Sequence, residues 1–501
     1  VIGRLAFRNF LYKPWRSALL FAGFGLGVSV MIILLSIGDA MVVQSTDERL
    51  VGGGTVTVLP DGIDIEVMKT GGLGGLFFSI ANARFLYLQL LAAPRLAPWI
   101  RAVAPQIDGQ LVYVRTADGV ERTARASASL PSAQQAVGAA TGVAAGAWRD
   151  DETDRRWASP TTAELEDDID HFHRPPPGVA GLETWAEWHY FNVVSADRQR
   201  WAFITLMVAG AVPDGRWGGQ VLVTTHASVD GVDRQRRFVA TVPATAVRFS
   251  TSRAELHVGE SSVVVLPDGR YAVHAVAAAA DGGDGPAMVD LVVTPSPRAY
   301  FPGSNIASGD FVSGYTVPAL RADASGSICV AGHCDAMDGV QGYHDHNWGV
   351  WRGVTWEWGA ARLGSYAILY GRVQPPDSIE SSSALFAYLV DSLGFRTLFR
   401  PQQIVYDDRK VITVDGHAIR VPAHAVMTDV RGADTLRLEL TIEAATGTDT
   451  RGSRAERGDA DGARRLAHPY FIQMKGLARL SGRAGGGVLS GEGTGFFETY
   501  R

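Results

Sequence analysis

The chain has 501 residues, a net charge of −6 and 46% hydrophobic content, enough for about three domains with sizeable cores. The acidic balance, with no basic block interleaved with aromatics, excludes nucleic acid as the expected partner. Only Cys329 and Cys334 are present, which excludes a disulfide-dense scaffold, while 57 glycines and 12 tryptophans point to a many-turned β protein.

Residues 17–38, SALLFAGFGLGVSVMIILLSIG, carry no charge. As a helix, this 22-residue run is long enough to cross a hydrocarbon core of roughly 30 Å. Arg4, Arg8, Lys13 and Arg16 precede it, and the first acidic residue is Asp39. The basic flank should stay in the cytoplasm and the bulk of the chain should lie outside it. A cleaved signal peptide would have an apolar core of about 7–15 residues and a small-residue cleavage site; here Asp39-Ala40-Met41 follows. Residues 1–45 are therefore read as a cytoplasmic flank and a single-pass anchor of the inner (plasma) membrane. WAFITLMVAGAV (201–212) is strand-sized, and SALFAYLVDSLGF (383–395) reads as a short amphipathic helix.

Residues 46–122 read as a small α/β extracytoplasmic segment: a strand in GGTVTVLP, a helix in FFSIANARFLYLQLLA and a strand pair around IRAVAPQIDGQLVYVRT. LAFRNFLYKPWRSALLFAGFGLGVSVMIILLSIGDA, GGGTVTVLP and IRAVAPQIDGQLVYV together resemble the start of FtsX-like (MacB-type) ABC export permeases. The resemblance implies ABC transporter subunits as partners. It stops after one membrane helix, where those permeases carry three more.

Residues 123–160 turn Ala/Ser/Gly-rich and then highly charged, and are read as a linker. From there on, alternating runs such as VLVTTHASVD, YAVHAVAAAA, SYAILYGRV and TLRLELTIEAA are separated by turns such as PDGR and VDGH. TGTDTRGSRAERGDADGARR (446–465) reads as a loop between strands. The fold class expected is mainly β: two antiparallel barrels, at 161–325 and 326–501, after the membrane helix and the α/β segment. Small closed barrels of this kind enclose a single ligand.

The densest chemistry is GYHDHNWG (342–349). On a strand, Tyr343, Asp345 and Asn347 share one face and His344, His346 and Trp348 the other. His344 and His346 could supply two metal ligands with an outside carboxylate, but no third ligand is evident, and no metal or other cofactor is assigned. His171 and His173, in the Pro-rich DDIDHFHRPPPG, read as solvated. ICVAGHCDAMDG (328–339) reads as a hairpin with Ala331-Gly332 at its turn, which puts Cys329 opposite Cys334. An exported domain favours a disulfide there.

GYHDHNWG, ETWAEWHYFNVVSAD (183–197), WEWGAARLGSYAILYGRV (356–373) and GEGTGFFETYR (491–501) resemble the carotenoid 1,2-hydratase family, also called hydroxyneurosporene synthase-like or AttH-like. The resemblance implies two lipocalin-like barrels over residues 160–501. It also implies a site in which Asp345, with Tyr343, protonates an isolated carbon–carbon double bond. The His and Trp that precede this motif in the hydratases are absent from SGYTVPALRADASG, where Tyr315 is the only aromatic. Protonating an alkene needs a neutral carboxylic acid in a dry pocket, which burial supplies. Aromatic faces would steady the cation. Asn347, Trp348, His344, His346, Trp188, Tyr190, Trp356 and Trp358 are the candidate substrate-binding residues. In the alternative reading Asp345 caps backbone amides or pairs with an arginine, and His344 and His346 tie the two barrels together.

The expected function is therefore that of a membrane-anchored protein binding an apolar isoprenoid- or lipid-like molecule, with hydratase (lyase) chemistry of the carotenoid 1,2-hydratase type. The alternative is a non-enzymatic accessory subunit of an ABC export system.

Overall fold

The structure, a computed structural model, describes residues 14–46, 56, 58, 79–137, 149–229, 232–280, 282–283, 285–308, 311–377, 379, 384–450 and 467–501. The chain divides into two compact units, Val1–Ala83 with Arg101–Asp154, and Arg84–Ile100 with Arg155–Arg501.

In the first unit, helix α1 (Pro14–Thr46) contains a span, Pro14–Ile37, of mean hydropathy 2.5 and no burial within the protein, long and apolar enough to cross a membrane. Strands β1 (Gln106–Arg115) and β2 (Glu121–Ser129) form an antiparallel pair. The strand expected at 53–60 lies outside the described residues apart from Val56 and Val58. Helix α2 (Ile80–Ala92) occupies the predicted helical run, and from Arg84 onward it belongs to the second unit. The stretch read as a linker carries regular structure over much of its described part: β2, α3 (Pro131–Ala136) and α4 (Glu152–Ala158). Composition misses this because the order is local: α3 starts on a proline, and the Asp150 carboxylate accepts from the Ser132 backbone N–H at 2.8 Å.

The second unit begins its β region after helix α5 (Thr162–Asp170), which starts in a capping box. Thr161 Oγ1 accepts from the Glu164 N–H at 3.2 Å, and Glu164 Oε2 accepts from the Thr161 N–H at 2.8 Å. The first sheet then runs through β3 (Trp185–Val194), β4 (Arg200–Gly210), β5 (Trp217–Val229) and β6 (Val232–Pro243). It continues through β7 (Val247–Phe249), β8 (Glu255–Val258), β9 (Ser261–Val265), β10 (Tyr271–Ala279) and β11 (Ala287–Pro295). It ends with β12 (Phe301–Ser308), β13 (Phe311–Val330), β14 (His333–Ala336) and β15 (Val340–Val350).

Eight of these strands close into a ring in the order β3-β4-β5-β6-β10-β11-β13-β15, because β11 pairs with both β10 and β13 and β15 pairs back onto β3. A barrel of this size has an interior just wide enough to be filled by side chains. The filling is visible as alternation: Tyr271, Val273, Ala275 and Ala277 of β10 are buried, and the residues between them are not. β15 over most of its length and β13 over 313–320 break this alternation and are buried on both faces. Their second face packs against the other sheet, which is why the middle of β13 does not read as an amphipathic strand. Pro318, which has no N–H to give a ladder, sits in β13 where the register with β15 shifts between Thr316 and Ala319.

The second sheet comprises β16 (Thr355–Leu363), β17 (Tyr366–Gln374), β18 (Phe386–Asp391), β19 (Gly394–Phe399) and β20 (Val405–Asp407). A separate hairpin, β21 (Lys410–Val414) with β22 (His417–Val421), interrupts it before β23 (His424–Arg431), β24 (Asp434–Asp449), β25 (Tyr470–Ala484) and β26 (Gly487–Tyr500). Its nine strands run antiparallel in the order β19-β18-β17-β16-β26-β25-β24-β23-β20 around a core that includes Leu363, Tyr370, Leu389, Leu438, Leu480 and Phe497. The molecule is mainly β, with two large antiparallel sheets of barrel-like form and one apolar N-terminal helix.

Two expectations shift. Sheet membership changes between Val350 and Thr355, not at 325/326, because β13 runs unbroken across that point and β15 pairs with β3. The helix expected over 383–395 is instead the β18–β19 turn region, where Val390 faces Phe395 and Gly394 adopts φ +99°. A positive φ ends a helical run and suits a tight reversal.

Candidate functional site

β15 carries the motif between two neighbours, β3 and β13. Its register places Tyr343 opposite Asn192, His344 opposite Phe191, Asp345 opposite Tyr190, His346 opposite His189 and Asn347 opposite Trp188. Of the two flanking glycines, Gly349 is the one the backbone requires. It has φ +129°, and a Cβ there would lie 2.5 Å from the Val312 carbonyl oxygen.

The outer face of β15 meets the second sheet. Asp345 is 4% exposed. Its Oδ2 accepts from the Tyr343 hydroxyl at 2.8 Å and its Oδ1 from Asn347 Nδ2 at 2.7 Å. Tyr343 in turn accepts from Trp358 Nε1 of β16 at 3.0 Å. The Trp358 ring has room because its strand partner is Gly371, where a Cβ would lie 2.5 Å from the indole. Glu498 of β26, partly buried, is the second carboxyl on this side. It accepts from Trp356 Nε1 at 2.8 Å and from Gln473 Nε2 at 3.1 Å. Burial pushes Asp345 up to about 6, against the lowering effect of its hydrogen bonds. Burial and then the Asp345 charge push Glu498 up to about 7. Tyr190 packs edge-on to Tyr343 with ring centroids 6.4 Å apart, and Trp188 lies 6.3 Å from Trp356 and 4.7 Å from Trp351.

The inner face points into the first barrel. Both ring nitrogens of His344 face acceptors, Nδ1 the Tyr190 carbonyl at 3.0 Å and Nε2 Asp170 Oδ2 of α5 at 2.9 Å. His346 Nε2 lies 2.9 Å from Glu187 Oε1, which also accepts from the His173 backbone N–H at 2.7 Å. His189 Nδ1 lies 3.5 Å from Asp170 Oδ2. Burial raises Glu187 and Glu166 well above the usual carboxylate range and lowers His346 to about 3. Burial would also raise Asp170, but the neighbouring His344 and His189 outweigh it and hold that carboxyl well below its usual range. Trp348 stacks on His173 at 3.6 Å, with the rings nearly parallel.

The structure therefore separates the expected site residues. Tyr343, Asp345, Trp358 and Tyr190 come together, with Asn347 on Asp345 and with Trp188 and Trp356 beside them. His344, His346 and Trp348 lie on the other side of the strand. The two histidines point into the first barrel and do not tie the barrels together, and Asp345 is held by Tyr343 and Asn347, not by an arginine. His173 is only 23% exposed at its side chain, against the solvated reading. Cys329 and Cys334 are opposed across the β13–β14 hairpin and joined as a disulfide.

Sequence reasoning missed Asp170, Glu187, His189 and Glu498. The alternation Trp185, Glu187, His189 within a strand was a usable signal for the inner face. Nothing local marks Asp170 or Glu498.

No family model matches the chain, and no curated protein matches it. Among solved structures, the chain is similar to a protein assigned to the AttH group from Nitrosomonas europaea, at 16% identity and a TM-score of 0.42, covering 66% of this chain and 98% of that one. It is also similar to kievitone hydratase from Nectria haematococca, at 12% identity and a TM-score of 0.41, covering 68% and 96%, and to CghA bound to Sch210972, at 14% identity and a TM-score of 0.41, covering 66% and 97%.

Proposed function

We propose that the chain is an acid catalyst that protonates a carbon–carbon double bond of an apolar, isoprenoid-type molecule, with Asp345 as the donor. The observation that supports this reading is a buried carboxyl, Asp345, with the partly buried Glu498 within electrostatic reach, among aromatic rings at the junction of the two sheets. A carboxyl removed from water keeps its proton to higher pH and is available as a general acid.

The alkene π pair takes the Asp345 proton, which forms a C–H bond and leaves a cation on the neighbouring carbon. The faces of Tyr343, Tyr190 and Trp358 provide electron-rich surroundings for it. Water then adds through an oxygen lone pair and returns a proton to the Asp345 carboxylate, giving hydration. Loss of a proton from an adjacent carbon to the same carboxylate gives isomerisation. Tyr343 and Asn347 orient the carboxyl in both cases. Helix α1 anchors the protein in the plasma membrane with the barrels outside the cytoplasm, where an apolar substrate partitions. This topology rests on the basic residues before 17–38.

A second reading is favoured by the Trp358–Tyr343–Asp345 chain itself, which links β16 to β15: the same groups serve as a polar pin between the sheets, in a protein that binds or hands over a lipid without turning it over.

The two readings separate in deuterium oxide. The full chain in detergent is incubated with a panel of acyclic isoprenoid alkenes, and products are read by mass spectrometry. The catalytic reading expects deuterium incorporation or addition of water, lost in Asp345→Asn while that variant still retains the alkene. No incorporation by a folded wild-type chain across the panel, with alkene retained equally by both proteins, sinks the catalytic reading and leaves the pin.

A further inference from the structure

The inner face of β15 contains an arrangement that protons alone satisfy poorly. His346 Nε2 faces Glu187 Oε1 at 2.9 Å. A neutral imidazole that donates there presents its other nitrogen, Nδ1, as a lone pair. That lone pair lies 2.9 Å from Asp170 Oδ1, yet neither atom is aligned for a hydrogen bond. His189 Nδ1, 3.5 Å from Asp170 Oδ2, likewise has no hydrogen-bond partner. Among the described residues, three acceptor-capable atoms without a hydrogen-bond partner, on side chains at most 3% exposed, thus converge in the buried interior. Leaving such atoms unsatisfied is costly.

Asp170, His189 and His346 can each offer one ligand atom, all within 4.8 Å of one another. A second grouping, His173, Glu187 and His346, meets the same test. Its members already bond to one another through Glu187 Oε1, and among the described residues it holds two buried atoms without a hydrogen-bond partner, Glu187 Oε2 and His346 Nδ1, against three in the first. Donors bound at about 2.0–2.1 Å to a tetrahedral ion sit roughly 3.3 Å apart; His346 Nδ1 lies 2.9 Å from Asp170 Oδ1, and His189 Nδ1 lies 3.5 Å from the other carboxylate oxygen, Oδ2.

We propose that Asp170, His189 and His346 bind a divalent first-row transition ion of the Zn²⁺ class, which pins helix α5 to the wall of the first barrel. Two imidazoles and one carboxylate are a donor set such ions accept. Glu187, on the far nitrogen of His346, is the carboxylate partner that orients a metal-ligating histidine. The three ligands come from α5, β3 and β15, so the ion joins elements far apart in sequence. The site lies across β15 from Asp345 and does not depend on acid chemistry there.

The test uses the full chain in detergent, stripped with chelator and then dialysed against Zn²⁺ or Co²⁺. Elemental analysis should find about one ion per chain, and the Co²⁺ form should show the visible bands of a tetrahedral N/O site. Chelation should lower the melting temperature and Zn²⁺ should restore it. His189→Gln and Asp170→Asn should lose the ion, whereas His171→Gln, a neighbouring histidine outside the set, should keep it. Should the ligand variants fail to fold, X-ray absorption of the wild-type Zn²⁺ form decides, with two imidazoles and one carboxylate expected in the first coordination sphere. A wild-type chain that binds no ion, folded ligand variants that bind as well as wild type, or a coordination sphere without imidazole would each overturn the site.

Discussion

Asp170 on the inner side of β15 and Asp345 on its outer face are perturbed in opposite directions, while Glu187 and Glu166 on the inner side are raised by burial as Asp345 is. On the inner face, Asp170 is held well below its usual range by His344 and His189, and the groups around it form a network of carboxylates and imidazoles sealed inside the barrel. On the outer face, Asp345 and Glu498 have tyrosine, tryptophan and amide donors and, among the described residues, no cation in hydrogen-bond contact, and they are pushed up to about 6 and about 7. Asp170 and Asp345 are both almost fully buried, and Glu498 is partly buried. Between Asp170 and Asp345 the partner differs: His344 and His189 hold Asp170 low, whereas neutral donors leave desolvation to win at Asp345; at Glu187 desolvation wins despite its histidine neighbours. One strand thus places an ion-pairing network one residue away from a proton-holding site.

The largest test of this contrast is Asp170→Ala. It strips the acceptor from His344 Nε2 and leaves polar groups unpaired in the barrel interior, with an expected loss of about 3–5 kcal/mol in chemical denaturation. Asp345→Asn, which keeps shape and donors on the outer face, should cost about 1–3 kcal/mol. Equal losses would erase the distinction between the faces.

The pH dependence is next. Glu498 faces Asp345, Tyr190, Tyr343 and Tyr370. Folded, it holds its proton up to about 7, while an unfolded glutamate releases it near about 4.3. The folded chain therefore binds more protons between those values, and stability falls as pH rises through that window, levelling off above it. Relative to Glu498→Gln, wild type should lose about 2–3 kcal/mol between about pH 5 and 8. A flat difference would mean that Glu498 is ionised throughout and that the outer face resembles the inner.

Tyr343→Phe sharpens the outer face further. It removes the donor to Asp345 and the acceptor for Trp358, with an expected cost of about 1–2 kcal/mol and a further rise in the Asp345 pKa, readable by carboxyl-specific infrared titration. No change in that titration would detach Tyr343 from the carboxyl. The smallest effect is expected from Trp348→Leu, which loses the stack on His173 at the less buried rim of the inner cluster, about 1 kcal/mol by thermal denaturation. A loss matching that of Asp170→Ala would show that the rim, not the ion-pairing centre, holds the inner face together.

The sequence by itself determined what depends on neighbours along the chain. The apolar run at 17–38, the alternating strands, the Cys329–Cys334 register and the split of GYHDHNWG into two faces all follow from local period and turn chemistry. Only the tertiary structure decided what each face meets. Pairing of β15 with β3 brought His189 opposite His346, and α5 brought Asp170 beside it, across 157 and 176 positions of chain. Packing of the second sheet brought Trp358 to Tyr343 and set Glu498 within electrostatic reach of Asp345. The same packing buried both sides of β13 and β15, so their sequences lost the alternation that marks a strand with one wet face. Partners so distant leave no period to read, because the constraint joining them is the closure of a sheet and not the geometry of adjacent residues.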